Sequence, residues 1–181
     1  KDSKIKSIGL NSWDFLESLE IPEGLEEIDD FCFNSFNLNK ILISASNKNF
    51  KLFDDKYLIK INDLNNNTFL FCPRNIEHAI IPLNTTKIGK FSFKSCKKLK
   101  SISFKTKTLK ILDSYSFEKC ENIQSIVSIP SSLNIVTNYV FLDCKKLFSI
   151  EFLSEKLYIG DCSFFGCSSL TFISFPNAKK I

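Results

Sequence analysis

Residues 91–104 read FSFKSCKKLKSISF, and the apolar side chains of this stretch are two, three, three, three and two positions apart. Neither the 3.6-residue period of a helix nor the two-residue period of a strand fits this spacing throughout. The same pattern recurs at residues 115–126, 139–152 and 162–175. The sequence therefore predicts a protein built from tandem repeats.

The repeat period is 23 to 24 residues, which is typical of solenoids. The steps from Phe93 to Phe117, Phe141 and Phe164 are 24, 24 and 23 residues. Three further positions keep the same spacing: Cys96, Cys120, Cys144 and Cys167; Leu99, Ile123, Leu147 and Leu170; and Ile102, Ile126, Ile150 and Ile173. We therefore expect one domain over residues 1–181, with six repeats that start near residues 5, 28, 88, 112, 136 and 159.

Each repeat ends in a short Ser-Ile-x-Phe run that alternates between inward and outward positions, as a half-buried strand does. One such strand per repeat predicts a parallel β-sheet on one face of a repeat solenoid. The segment before the cysteine is too short for an ordinary helix, so we expect tight turns or short helical turns on the other face. Because no repeat can bury its apolar side alone, stacking between repeats must stabilise the fold.

The period is interrupted between Phe33 and Phe93, which are 60 residues apart. Residues 56–75 contain two β-rich runs around an asparagine-rich connection, a pattern that predicts a hairpin. We interpret the inserted segment, about residues 45–84, as an elaborated repeat and not as a separate domain. The first repeat is also irregular, with Leu10 and Trp13 in place of Phe and Cys.

The motif Ile-Gly-x-Phe-Ser-Phe-x-x-Cys-x-x-Leu-x-x-Ile at residues 88–102 resembles the leucine-rich repeats of the BspA-like family of bacterial and protist surface antigens. The resemblance covers nearly the whole chain, including an interruption that ends in a proline before the repeats resume. It implies a leucine-rich-repeat fold, display at the cell surface or secretion, and adhesion to host or matrix proteins.

Four of the seven cysteines occupy one repeat position, so a single structural cause should explain all four. Stacked parallel repeats would hold their side chains side by side instead of pointing toward each other, which does not suit a disulfide. We therefore expect Cys96, Cys120, Cys144 and Cys167 to be buried free thiols. Cys162 also falls at a predicted core position.

The sequence predicts no catalytic, cofactor or metal site, and we expect a non-enzymatic protein. His78 is the single histidine and lies in the inserted segment, where its folded position is not fixed by the repeat. No C-x-x-C pair and no phosphate-binding glycine-rich loop occurs.

The outward positions of the predicted sheet are the first candidate surface for a protein partner. Small side chains at most of these positions would leave the sheet face open. The candidates are Ser101, Ser103, Ser125, Ser149, Glu151, Phe172 and Ser174.

Lysines form the second candidate surface. Residues 87–119 carry ten lysines against two acids, and residues 1–36 carry three lysines against nine acids. Because the apolar residues that recur in each repeat fill the core, the lysines are expected at the surface, where they could bind a sulfated glycan or an acidic protein. The candidates are Lys94, Lys97, Lys98 and Lys100. Phenylalanines assigned to the core cannot also stack on bases, so nucleic acid is not expected.

The main hypothesis is a protein-binding module in a surface or secreted adhesin. The alternative is an intracellular scaffold component, cytoplasmic or cytoskeletal, that docks through its lysines. No apolar run is long enough to span a bilayer. Asn66 and Asn84 begin N-glycosylation sequons, which bear on the compartment. Because neither end has a polar cap, we expect a fragment whose ends are covered by further repeats, a domain or a subunit.

Overall fold

The computed structural model describes residues 5–9, 16–34 and 37–177. Leu10 and Trp13 lie outside the described residues. Two rows of short parallel strands run along the molecule and define about seven turns of a solenoid. The expected repeat solenoid with a parallel sheet and tight turns is confirmed.

The front sheet contains the Ser-Ile-x-Phe strands. Its strands are β2 (Ser18–Ile21), β4 (Lys40–Ile43), β8 (His78–Ile81), β10 (Ser101–Phe104), β12 (Ser125–Ile129), β14 (Ser149–Phe152) and β16 (Phe172–Ser174). They pair in parallel in three groups: β2 with β4, β8 with β10, and β14 with β12 on one side and β16 on the other.

A second parallel row, the back sheet, was not predicted. Its strands are β1 (Ser7–Ile8), β3 (Glu27–Ile28), β7 (Asn66–Phe71), β9 (Thr85–Ile88), β11 (Ile111–Leu112), β13 (Ile135–Val136) and β15 (Tyr158–Ile159). Five of these strands have only two residues, too few to show an alternating pattern in the sequence. A 3-10 helix, Asp30–Asn34, forms one of the turns between the sheets.

The inserted segment forms the predicted hairpin and adds one strand to it. Strand β6 (Tyr57–Asp63) pairs antiparallel with β7, and β5 (Phe50–Phe53) pairs antiparallel with the other side of β6. Strand β7 then pairs in parallel with β9, so the hairpin extends the back sheet. Because β8 takes a place in the front sheet, the insertion completes a turn of the solenoid.

Stacked aromatic rings fill the core. Consecutive rings of one column have centroids 4.9, 4.8, 5.4 and 5.3 Å apart, and the column consists of Phe69, Phe93, Phe117, Phe141 and Phe164. A second column stacks rings at residues with left-handed backbone, since Phe91, Tyr115 and Tyr139 have φ angles of 58°, 59° and 60°. Bulky residues rarely adopt this conformation. Each such residue costs about 1 to 3 kcal/mol. Ring stacking between neighbouring turns, about 0.5 to 1.5 kcal/mol per pair, offsets part of that cost.

The cysteine position has a polar role that the sequence did not indicate. Cys120, Cys144 and Cys167 donate Sγ–H bonds of 3.1, 3.1 and 3.0 Å to the carbonyls of Phe93, Phe117 and Phe141 in the preceding turns. Burial raises the pKa of the Cys120 and Cys144 thiols, so both keep the proton that they donate.

The predicted burial is confirmed for Cys96, Cys120 and Cys144, and all seven cysteines are free thiols in the structure. It is wrong for Cys162, which is exposed, and for Cys167, which is half-buried. Both belong to the last described turn, and no further turn among the described residues packs against it.

We expect the rate of reaction with thiol reagents to distinguish the exposed cysteine from the buried ones. In the native protein Cys162 should be alkylated quickly, whereas Cys96, Cys120 and Cys144 should react about 100-fold more slowly, as an opening free energy of about 3 kcal/mol implies. Mass spectrometry after timed alkylation measures both rates. In urea without reductant all seven should react, and disulfides between neighbouring turns would contradict the free-thiol assignment.

Candidate partner-binding surface

The strand register aligns the outward side chains of the front sheet. Ser101 is paired with His78, and Ser149 lies between Ser125 and Phe172. Neighbours in such a row are about 4.8 Å apart. Ser101 and Phe172 are exposed, and the two remaining serines are half-buried. The predicted row is therefore present and reaches solvent.

A second outward row runs beside the first. Ser103 is exposed, and Glu151 is half-buried and paired in register with the half-buried Ser174. Phe148, which directly precedes β14, is 47% exposed, and Phe172 is 59% exposed. The C-terminal part of this face is therefore apolar, and its middle part carries hydroxyl groups.

The sequence did not place His78, and the structure assigns it to the front face. Its Nδ1 atom lies 2.8 Å from Ser101 Oγ. Beside it, Lys100 donates a 2.7 Å hydrogen bond to Glu77, which lowers the pKa of that exposed carboxyl group. Solvent surrounds this Ser–His pair on the open face of two adjacent strands, so its geometry is that of a surface hydrogen bond.

The expectation that Lys94 lies at the surface is wrong. Lys94 is 9% exposed, and its Nζ atom lies 2.9 Å from a carboxylate oxygen of Glu118 in the next turn and 5.3 Å from the centre of the Phe91 ring. This ion pair was not predicted, because its two residues are 24 positions apart in the chain. Its charge is therefore directed into the protein.

The other predicted lysines are exposed, but two of the three are paired. Lys97 lies 3.7 Å from Glu121 and Lys100 lies 2.7 Å from Glu77. Lys98 has no ion pair within 4 Å among the described residues. Acids of neighbouring turns thus neutralise much of the lysine cluster, which weakens it as a docking site.

Both predicted glycosylation sites are exposed at turns. Asn66 begins β7, and Asn84 lies between β8 and β9 with a φ angle of 63°. The two turns are in contact, because Asn84 donates to the Leu64 carbonyl at 3.5 Å and the Thr86 hydroxyl donates to the Asn66 side chain.

Neither a metal cluster nor a membrane-spanning helix is found in the part of the chain that the structure describes. No group of three or more His, Cys, Asp and Glu side chains there could hold an ion. No helix there is long and apolar enough to cross a bilayer.

Stacked turns of 23 to 24 residues, a parallel front sheet and a buried aromatic column define a leucine-rich-repeat solenoid. The sequence matches the family described as BspA type leucine rich repeat region, in six copies, over residues 2–61 and 62–181. The chain therefore belongs to this family.

Two solved structures share the fold. A pneumococcal vaccine antigen, PcpA, superposes with a TM-score of 0.77 and 19% identity over 90% of this chain. A leucine rich cell surface protein from Faecalibacterium prausnitzii gives a TM-score of 0.66 and 19% identity over 91%. This chain spans 40% and 49% of those two structures. A comparison with curated protein sequences gives no significant match.

Proposed function

We propose that this chain is a protein-binding module of a surface or secreted adhesin, and that its front sheet and inserted hairpin bind a host or matrix protein. The observation that carries the proposal is the row of outward side chains on the front sheet, which are in register between β8 and β10 and again along β12, β14 and β16. Hydroxyl groups supply hydrogen bonds along this row, and Phe148 and Phe172 supply apolar contact area at one end. The stacked core holds the row rigid, so little ordering is needed on binding.

Charged, bulky substitutions on the front sheet should weaken this binding. The double variant Ser101→Arg/Ser149→Arg leaves the core unchanged and should weaken binding at least about tenfold, because it blocks close approach of a partner. Its matched control is Ser131→Arg, at an exposed turn position outside the front-sheet strands. Binding to immobilised purified matrix proteins can be measured by surface plasmon resonance. Absence of binding to every protein tested, or equal binding by the double variant, would contradict the proposal.

The alternative, an intracellular scaffold that docks through its lysines, makes a different quantitative prediction. The double variant Lys97→Glu/Lys98→Glu changes the net charge by −4. If the front sheet carries binding, affinity at 0.15 M salt should fall less than about threefold, since exposed charges are screened beyond about 8 Å. A loss of tenfold or more, increasing at low salt, would favour the lysine surface instead.

Glycan mapping of the native protein tests the proposed compartment separately. Passage through a eukaryotic secretory pathway should add glycan at Asn66, whose side chain is exposed at a hairpin turn.

A further inference from the structure

A groove of about 610 Å³ lies between β4 and the inserted segment. Its lining comes from residues 39–45, which include all of β4, and from residues 50–52, Asp55 and Lys56 of the insertion, with Asn47 between them. The volume falls within the range of about 300 to 1,000 Å³ that is usual for ligand sites. Among the described residues, none from β8, β10, β12, β14 or β16 lines the groove, so it is separate from the outward rows on those strands.

Strand β4 has an unpaired backbone edge. In the front sheet it pairs with β2 but not with β8, the next strand along the solenoid. The Ser44 N–H donates to the Ile21 carbonyl of β2 at 2.9 Å. Because backbone groups alternate in direction along a strand, Ile43 and Ile41 direct their N–H and C=O groups away from β2. In the part of the chain that the structure describes, these four groups have no hydrogen-bond partner, and both residues line the groove.

The edge of β8 is covered, in contrast to that of β4. The hydroxyl of the buried Tyr57 donates to the His78 carbonyl at 3.4 Å. Strand β5, which contributes residues 50–52 to the groove, is the last strand of the back sheet and therefore has a second unpaired edge. The groove is thus bordered by two strands that each lack a neighbour on one side. Such edges present donors and acceptors at the spacing of a peptide backbone.

The charges along the groove favour an acidic ligand. Lys40 and Lys51 line it, are exposed, and have no acidic partner within 4 Å among the described residues. Lys56 lies 2.6 Å from Asp54, and Asp55 is the single acid among the described lining residues. These lysines also oppose pairing with the same edge of a second copy, because that would bring like charges together.

We propose that this groove binds an extended acidic segment of another protein, which adds as a strand to the unpaired edge of β4. The backbone of the segment pairs with the N–H and C=O groups of Ile41 and Ile43, and its carboxylates pair with Lys40 and Lys51. Addition of a strand to an open sheet edge is a recurring mode of peptide recognition. The inference rests on the proposed function in one respect, that the inserted segment takes part in binding a protein, and it specifies the form of that ligand.

Hydrogen exchange with a model peptide locates the added strand. The probe is acetyl-Glu-Val-Glu-Val-Glu-amide, whose side chains read the same in both chain directions. In the free protein the amides of Ile41 and Ile43 should exchange quickly with solvent, whereas the Leu42 amide, which faces β2, should exchange slowly. Saturating peptide should slow exchange at Ile41 and Ile43 at least tenfold and leave Leu42 unchanged. Absence of binding, or binding without this protection, would overturn the proposal.

N-methylation of the peptide tests the backbone pairing. Alternate residues of a strand direct their N–H groups to the same edge. Methyl groups on the three glutamate nitrogens therefore block one edge of the peptide, and methyl groups on the two valine nitrogens block the other. A loss of affinity of at least tenfold in one series identifies the edge that pairs with β4, and a loss in both shows that both edges are paired. Unchanged affinity in both series would contradict strand addition.

A charge exchange tests the preference for an acidic segment. The parent protein should bind acetyl-Lys-Val-Lys-Val-Lys-amide at least tenfold more weakly than the glutamate peptide, and Lys40→Glu/Lys51→Glu should reverse this order. The matched control, Lys107→Glu/Lys110→Glu, makes the same change in net charge at exposed positions outside the groove and should preserve the order.

Equal effects of the two double variants would attribute the preference to net charge and overturn the proposal. The front-sheet variant Ser101→Arg/Ser149→Arg should bind the glutamate peptide as the parent protein does. Failure of the groove test is therefore distinguishable from failure of the front-sheet test, because each set of variants alters one surface.

Discussion

Replacing Arg74 with methionine should lower the free energy of unfolding by about 3 to 5 kcal/mol, although the substitution keeps most of the apolar stem. Arg74 is 6% exposed and lies where the insertion interrupts the regular stack. Its guanidinium donates to four backbone carbonyls: Nη1 to Cys72 at 3.3 Å and Ser92 at 3.0 Å, and Nη2 to Phe33 at 2.6 Å and Phe91 at 3.3 Å.

The regular turns explain why these contacts matter. There, a cysteine thiol of one turn donates to the phenylalanine carbonyl of the preceding turn, as Cys120 does to Phe93. Phe33 occupies the position in its turn that Phe93 occupies in the regular turns, but the insertion follows it. Its carbonyl therefore accepts a hydrogen bond from Arg74 instead of from a cysteine thiol. Methionine has no hydrogen to donate, so these buried carbonyls would lose their contacts with the guanidinium, at a cost of about 1 to 3 kcal/mol for each acceptor left unsatisfied.

Urea unfolding followed by circular dichroism measures the loss. Lys98→Met, which removes an exposed cation, is the matched control and should change the free energy of unfolding by less than about 0.5 kcal/mol. Arg74→Lys should recover part of the loss, because an ammonium retains the charge and three donors but not the planar geometry. Equal stability of Arg74→Met and the parent protein would show that the guanidinium does not hold the junction together.

The sequence predicted the features that repeat and missed those that occur once. Phe93, Cys96 and Leu99 were assigned to the core because equivalent residues recur every 23 to 24 positions, and all three are buried. Arg74 has no equivalent in other turns, so no period reveals it. The back sheet was missed because a strand such as Ile111–Leu112 is too short to show a pattern.

The candidate surfaces were predicted unevenly for a related reason. The serine row follows from strand register, which the repeat period sets. The burial of Lys94 depends on Glu118 in the next turn, and the junction at the insertion depends on the contacts of Arg74 with Phe33 and Phe91. Such contacts join residues that are distant in the sequence and are not periodic, so only the folded structure shows them.

Replacing Phe117 with alanine should also cost about 3 to 5 kcal/mol, and its effect should extend along the solenoid. Phe117 is 1% exposed, and its ring stacks between Phe93 at 4.8 Å and Phe141 at 5.4 Å, so the substitution removes two contacts between turns. Because a solenoid is stabilised by contacts between nearest neighbours, a gap in the middle of the column should uncouple its two ends.

Hydrogen exchange should therefore show weaker protection for amides of the turns on either side of Phe117, and the urea transition should become broader. The matched control is Phe172→Ala, since that ring is 59% exposed and its loss should cost less than about 0.5 kcal/mol. The loss of unfolding free energy for Phe117→Leu should lie between the losses for Phe117→Ala and Phe172→Ala. Leucine restores apolar volume but not the ring stacking, which contributes about 0.5 to 1.5 kcal/mol per pair. A sharp transition with protection lost only within the mutated turn would mean that the turns fold independently, and that the aromatic column fills space without coupling them.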